Sequence, residues 1–435
     1  MIPSKPKIEK REHGGKKRTI TIGTWNTQEV RLSTSNENQS VLRKMANQIE
    51  IKYEFEDESV KFLPHRLLAS AGPVNVSARF ISALSRPSLS STSKEIYMVM
   101  QEIQRMLKYA FQTENEATFG ILTSGTGAIE ATLVNLVNPG EKILVAVAGL
   151  FGSRIAQIAK LRDMNVVEVT CKVGEAFSFE KLENAIIVHK PVILYIIHGE
   201  SSTGILQPLN GLGEICNRHG CLLAIDAMSS VGSAPLFVDR WEIDVAVSAC
   251  NKSLRGSGGF SYITLSPRAM AKIKGLQVKS PLYYDINNLV DMWNRFDQRL
   301  MHCYNLPSHF LFGARESLME IVEEGLEAIW TNHKLTGERI VSAAKSMGCD
   351  ALVKDPTIRL PSINVLILAP PLDVNEFISY VFKKYQVVVT FCPAEVSNCI
   401  RVGVMGYNNR PDVVDYVLQV LREALEFFKT NKYYK

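Results

Sequence analysis

The chain has 435 residues, 46% of them hydrophobic and 21% charged, with a formal net charge of +5. That balance excludes a disordered or fibrous chain, and the length calls for one large and one smaller domain rather than a single small core. Much of the basic excess sits in Lys5, Lys7, Lys10, Arg11, Lys16, Lys17 and Arg18. A short basic tail of this kind reads as a solvated segment, not as a nucleic-acid-binding domain.

Residues 1–58 are polar, broken by Gly14-Gly15 and by serines between Ser33 and Ser40, and read as a poorly ordered N-terminal extension. Within it, Leu42 to Glu50 has the makings of a short helix. Residues 59–84 read as an N-terminal arm, in which Leu67 to Asn75 carries Gly72-Pro73. Lys94 to Phe111 has helical spacing at Ile96, Met100, Ile103, Met106 and Leu107.

From there the chain alternates, and residues 85–325 read as a large domain. Strand-like apolar runs fall at Ala117–Leu122, Ile143–Ala148, Val166–Val169, Val192–Ile197, Cys221–Ile225 and Val245–Ser248. Helical segments fall between them at Ala128–Val137, Phe151–Leu161, Phe179–Ile187 and Gly211–Arg218. Such alternation predicts an α/β fold, with a mostly parallel sheet flanked by helices on both faces. Residues 326–435 read as a smaller α+β C-terminal domain. Around its start, helices are expected at Leu318–Thr331 and Lys334–Met347. Strands follow at Ser362–Leu368, Val387–Thr390 and Ile400–Val404, and a last helix at Pro411–Phe428.

The eight cysteines are scattered without a CxxC or a paired Cys/His spacing, which points to reduced thiols and gives no metal site. No apolar run approaches the roughly 20 residues that cross a membrane. Neither a secretory signal nor a Ser-Lys-Leu ending is present, so an intracellular place, peroxisomal or cytoplasmic, is expected.

Two stretches carry the chemistry. Leu222 to Asp226 is an apolar strand that delivers one carboxylate at its end, and Ala249-Cys250-Asn251-Lys252-Ser253 puts one lysine in a short loop after the next strand. In parallel sheets, ligands lie at the carboxyl ends of the strands. A carboxylate and a lysine there suit pyridoxal 5'-phosphate, which needs an amine to hold it and an acid facing its ring nitrogen. Lys252 would then move the proton between the substrate's Cα and the cofactor's C4′ as base and acid. Each residue also has an ordinary reading: Asp226 as a helix cap, Lys252 as a loop lysine.

Other residues fit the same site. Ser124-Gly125-Thr126-Gly127 opens a helix after a strand, and its small residues and free N–H groups suit an anion, or simply a tight turn. Phe151 would stack on a cofactor ring or sit in the core. Met228 would pack against the ring. The His198–Gly204 turn, with Ser201, offers hydroxyls to the cofactor or caps a turn. Arg401 would bind a substrate carboxylate as a planar fork, or make a salt bridge between domains.

Taken together these residues resemble the class V, fold-type I aminotransferases, nearest to the alanine–glyoxylate and serine–pyruvate type. The resemblance runs from about Leu63 to about Phe428. Its most specific segments are Asn135 to Gly140, His189 to Val192, His198 to Pro208, Lys354-Asp355-Pro356 with Arg359-Leu360-Pro361, and Arg401-Val402-Gly403.

The resemblance implies pyridoxal 5'-phosphate bonded to Lys252, with Asp226 at the ring nitrogen. It implies Ser124, Gly125 and Thr126 at the phosphate, Phe151, Ser201, Met228 and Asn251 around the cofactor, and Arg401 with Gly72 at the substrate. It also implies a homodimer acting on a small amino acid and a 2-oxo acid, with no nucleic-acid or membrane partner. Alanine or serine as donor with glyoxylate or pyruvate as acceptor is expected, and with it a place in glyoxylate metabolism and glycine biosynthesis. The alternatives are a 3-hydroxykynurenine aminotransferase and a silent paralogue that acts by binding. Departures from the family pattern fall at Ser70, Ala128, Phe151, Asn251, Arg255 to Gly259, His302 and Asn305.

Overall fold

The computed structural model describes residues 65–294, 304–370, 372–393, 396 and 398–430. The expected N-terminal extension, its helix at Leu42–Glu50 and His302 lie outside the described residues. Arg66–Lys435 form one compact unit.

Before the sheet come two helices, α1 (Ala78–Leu84) and α2 (Lys94–Phe111). The hydroxyl of Ser93 accepts from the Ile96 N–H and caps α2, whose buried stripe is Ile96, Met100, Ile103, Met106, Leu107, Ala110 and Phe111. Then alternate β1 (Ala117–Ile121), α3 (Gly125–Leu136), β2 (Lys142–Val147), α4 (Leu150–Lys160), β3 (Asn165–Thr170), α5 (Phe179–His189) and β4 (Ile193–Ile197). A small β5–β6 pair (Gly199–Glu200 and Ile205–Leu206) precedes α6 (Leu212–Arg218). After it come β7 (Leu222–Asp226), β8 (Val245–Ala249) and β9 (Ser261–Leu265), then α7 (Pro267–Lys274) and α8 (Ile286–Asn294).

The large sheet has seven strands in the order β1-β9-β8-β7-β4-β2-β3, which makes β7 its centre. Six strands run the same way, and β9 runs against its neighbours β1 and β8. Every residue of β1, β4, β7, β8 and β9 is buried, as a sheet covered on both faces requires. Strand β9 has no counterpart in the sequence expectations.

Next come α9 (Ser308–Glu324) and α10 (Leu326–Ser346). The expected break between these helices near Asn332 is instead at Gly325, which has φ +85° and separates the two. The second sheet takes β10 (Asp350–Ala351), β11 (Ile363–Ile367), β12 (Thr390–Phe391) and β13 (Cys399–Gly403) in the order β10-β11-β13-β12, with helices α11 (Val374–Tyr385) and α12 (Pro411–Thr430). Only the end of the expected strand Val387–Thr390 joins that sheet. Val387 instead makes an isolated bridge with Leu67, so the arm occupies its edge. A separate apolar cluster holds this region together, built on residues such as Ile340, Leu366, Phe377, Val402, Val417 and Leu421.

Candidate functional site

Three neighbouring strands of the large sheet bring their carboxyl ends together. Strand β7 ends on Asp226, β8 leads into Asn251-Lys252, and β4 leads into His198–Gly204. The ends of β1 and β2 add the starts of α3 and α4. A cavity of about 130 Å³ lies there, with Gly125, Thr126, Phe151, Ser201, Asp226, Met228, Asn251 and Lys252 on its wall. Ser229 and Ala249 join them; sequence reasoning passed over both, since neither carries a distinctive side chain.

The lysine loop is tied down on both sides. Arg255 N–H donates to the Lys252 carbonyl at 3.1 Å, and Gly256 N–H to the Cys250 carbonyl at 2.8 Å. From the arm, Val74 N–H reaches the Asn251 carbonyl at 3.3 Å. The Lys252 amine donates to the carbonyl of Ala71. Gly72 follows it in the chain, and a side-chain carbon there would lie 2.5 Å from Lys252 Cδ. Only a residue without Cβ lets the arm approach the lysine so closely.

Asp226 is 4% exposed, and its Oδ1 accepts from the Met228 N–H at 2.8 Å. Burial pushes its carboxyl up to about 7, and the nearby Glu200 carboxylate pushes the same way, against the pull of the Met228 N–H and of Lys252. Burial likewise lowers the Lys252 amine to about 8, although Asp226 attracts its charged form. Desolvation therefore outweighs the mutual attraction at both ends of this pair. The result is an amine that gives up its proton near neutral pH and an acid poised to answer a nearby cation.

At the helix α3 start, the Ser124 hydroxyl accepts from the Gly127 N–H at 3.3 Å and caps the helix. Ser124 is thus turned to its own helix, while Gly125 and Thr126 face the cavity. A Cβ on Gly125 would lie 2.3 Å from Met228 Sδ, so the glycine leaves room for Met228. Ala128 is fully buried in the large core.

Arg401 stands at the middle of β13. Its Nη1 donates to the Ser201 carbonyl at 3.2 Å and its Nε to the Phe391 carbonyl at 3.0 Å. Two donors are thereby fixed, and among the described residues the others of the fork make no hydrogen bond. Partial burial lowers the Arg401 pKa. Glu200, missed in the sequence, is 1% exposed and holds the turn beside Ser201. The signal that could have found it is a carboxylate three residues after a buried apolar strand. Among the described residues no cluster of His, Cys, Asp and Glu could hold a metal ion. No described helix is long and apolar enough to cross a membrane.

The Aminotransferase class-V family model matches residues 74–355. The alanine–glyoxylate aminotransferase of Rattus norvegicus is 36% identical over 374 residues, covering 85% of this chain and 90% of the relative. The solved alanine–glyoxylate aminotransferase of Nostoc sp. superposes with a TM-score of 0.81 at 31% identity, covering 90% of this chain and 100% of that one. The ureidoglycine–glyoxylate aminotransferase of Bacillus subtilis gives 0.81 at 27% identity, over 85% of this chain and 95% of that one.

The residues present fit the cofactor of that family. An aldehyde finds a buried amine of lowered pKa, a ring nitrogen finds a buried carboxylic acid, and a phosphate finds the first turn of a helix whose N–H groups lack helical partners. The chain therefore belongs to the class-V aminotransferases, enzymes that transfer an amino group with pyridoxal 5'-phosphate as cofactor.

Proposed function

We propose that this aminotransferase moves the amino group of a small amino acid, alanine or serine, to glyoxylate or pyruvate. The observation that carries the reading is one buried cavity with Lys252 and Asp226 on its wall and Arg401 anchored to its rim through Ser201. Glyoxylate stands in the names of the rat, Nostoc and Bacillus relatives alike, while the donor differs between them. The acceptor is thus better supported than the donor.

When bound, pyridoxal 5'-phosphate supplies an aldehyde that bonds an amine and a ring that draws electrons from the adjacent carbon. Lys252 would hold it through Nζ, and the same amine, when free, would move a proton between the substrate's Cα and the cofactor's aldehyde carbon. An amine titrating near pH 8 in a buried site serves both tasks. Asp226 would pair with the ring nitrogen, whose proton would supply the cation that favours the ionised carboxylate. The first turn of α3, with Ser124, Gly125 and Thr126, would receive the phosphate, and the Ser124 oxygen also caps the helix. Phe151 and Met228, with Ser201 and Asn251, line the cavity and would hold the ring. Arg401 takes the substrate carboxylate in its open fork, and Gly72 closes the arm over the site.

Residues 59–84, 85–325 and 326–435 act as arm, cofactor domain and small domain. The enzyme works as a homodimer in glyoxylate metabolism and glycine formation, in the peroxisome or cytoplasm. Purified holoprotein should convert alanine or serine with glyoxylate to glycine. If a panel of donors shows turnover with neither alanine nor serine, against neither acceptor, this substrate assignment is wrong.

A further inference from the structure

One turn after β4 braces several walls of the cavity at once. The Ser201 carbonyl takes the Arg401 guanidinium, and the Ser202 carbonyl takes the Cys392 thiol at 3.0 Å. Helix α4 starts behind Gly149 without a side-chain cap of its own. Its acceptors come from this turn instead. Ser202 Oγ accepts from the Leu150 N–H at 3.0 Å, and Glu200 Oε2 from the Gly152 N–H at 3.3 Å. Glu200 Oε1 accepts from the Ser202 N–H at 2.9 Å and from its hydroxyl at 2.6 Å. Phe151, on the cavity wall, is in the turn so held.

Glu200 is also a buried acid: burial pushes its carboxyl up, against the pull of the Ser202 hydroxyl and of the Ser202, Gly152 and Phe151 N–H groups. A helix N-terminus favours a carboxylate, yet the first-turn N–H groups and Ser202 are neutral partners. The charged and titratable groups around it are Asp226 from β7, Lys252 from the loop after β8, Arg401 from β13 and Cys171 after β3. Two basic and two acidic side chains thus share the site.

We propose that Glu200 is a positioning residue for this site: it caps, from a separate loop, the helix that presents Phe151, and in its ionised form it adds a negative charge on the side of the cavity that holds Lys252. The inference rests on Lys252 being the amine that holds the cofactor. Two readouts separate the halves of the idea. One is amide hydrogen exchange at Leu150, Phe151 and Gly152 in the full-length holoprotein. The other is the pH midpoint of the bound cofactor's absorbance change.

Glu200→Gln puts an amide where two backbone N–H groups need an acceptor. Exchange at the three amides should rise roughly tenfold. With the carboxylate gone, Lys252 loses a neighbour that favours its protonated form, and the midpoint should fall by roughly half a unit or more. Ser202→Ala should raise the exchange and leave the midpoint in place. Glu200→Asp should keep the midpoint while losing the reach to Gly152. Faster exchange in Glu200→Gln with an unmoved midpoint would overturn the electrostatic role and leave only a structural one. Unchanged exchange in Ser202→Ala and Glu200→Gln overturns the capping. Should Glu200→Gln not fold, the exchange in Ser202→Ala and Glu200→Asp decides the capping, and a midpoint that shifts in Glu200→Asp while that of Ser202→Ala stays at the wild-type value overturns the electrostatic half. A wild-type protein that takes up no pyridoxal phosphate would instead indict the cofactor assignment, and the exchange readout would still judge the cap.

Discussion

Replacing Asp226 by asparagine should stabilise the cofactor-free protein while destroying its activity. Burial raises this carboxyl from 3.8 to about 7. At about 1.36 kcal/mol per pH unit, the ionised form costs the folded state about 4 kcal/mol. The sign follows from linkage. Below the unfolded value both states bind the proton and the cost is absent. It grows as pH rises towards 7 and is fully present above that. Asparagine keeps an oxygen for the Met228 N–H and never ionises. About 4 kcal/mol is the upper bound, because water entry and relaxation soften the burial of a charge. Urea denaturation of both cofactor-free proteins, from about pH 4 to about pH 8, checks this. The variant should match wild type at the acid end and gain midpoint steadily towards the other. A variant that is less stable at pH 8, or a difference that stays flat with pH, refutes the reasoning. In the holoprotein the same substitution should cut transamination by about a hundredfold or more, since the ring nitrogen loses its charged partner.

Arg401→Ala should cost about 2–3 kcal/mol of substrate binding, roughly 30- to 150-fold in kcat/KM, through KM more than kcat; a change confined to kcat contradicts a carboxylate-binding role. Gly125→Ala should press the new methyl on Met228 Sδ, only 2.3 Å from where it must go. Met228 would then shift into the cavity and weaken cofactor affinity by about tenfold, measurable by absorbance titration. Equal affinity would show that the first turn of α3 has slack there.

The parallel strands were readable because a sheet covered on both faces needs uninterrupted apolar runs, and the sequence has them at β1, β4, β7 and β8. Strand β9 has the same burial, but its opposite direction comes from pairing between β1 and β8, which no local pattern records. The helix break was misplaced because Leu318 to Thr331 keeps its spacing through Gly325. A glycine within a helix is tolerated at about 1 kcal/mol, so spacing alone did not mark it as the end. At the site, Asp226 and Lys252 were legible from strand-end position. Ser124 reads as a donor to the phosphate from its hydroxyl; its second task in the fold, accepting the Gly127 N–H as a helix cap, leaves that O–H free to donate. Glu200 escaped because its role lies in hydrogen bonds to a helix about 50 residues earlier in the chain.

The most direct measurement is to reduce the holoprotein with borohydride, digest it and locate the attached pyridoxyl group by mass spectrometry. The group should be found on Lys252 alone, and Lys252→Ala should carry none and should fail to move an amino group from alanine to glyoxylate. A label on another lysine, or a Lys252→Ala protein that still transaminates, would contradict the account at its centre.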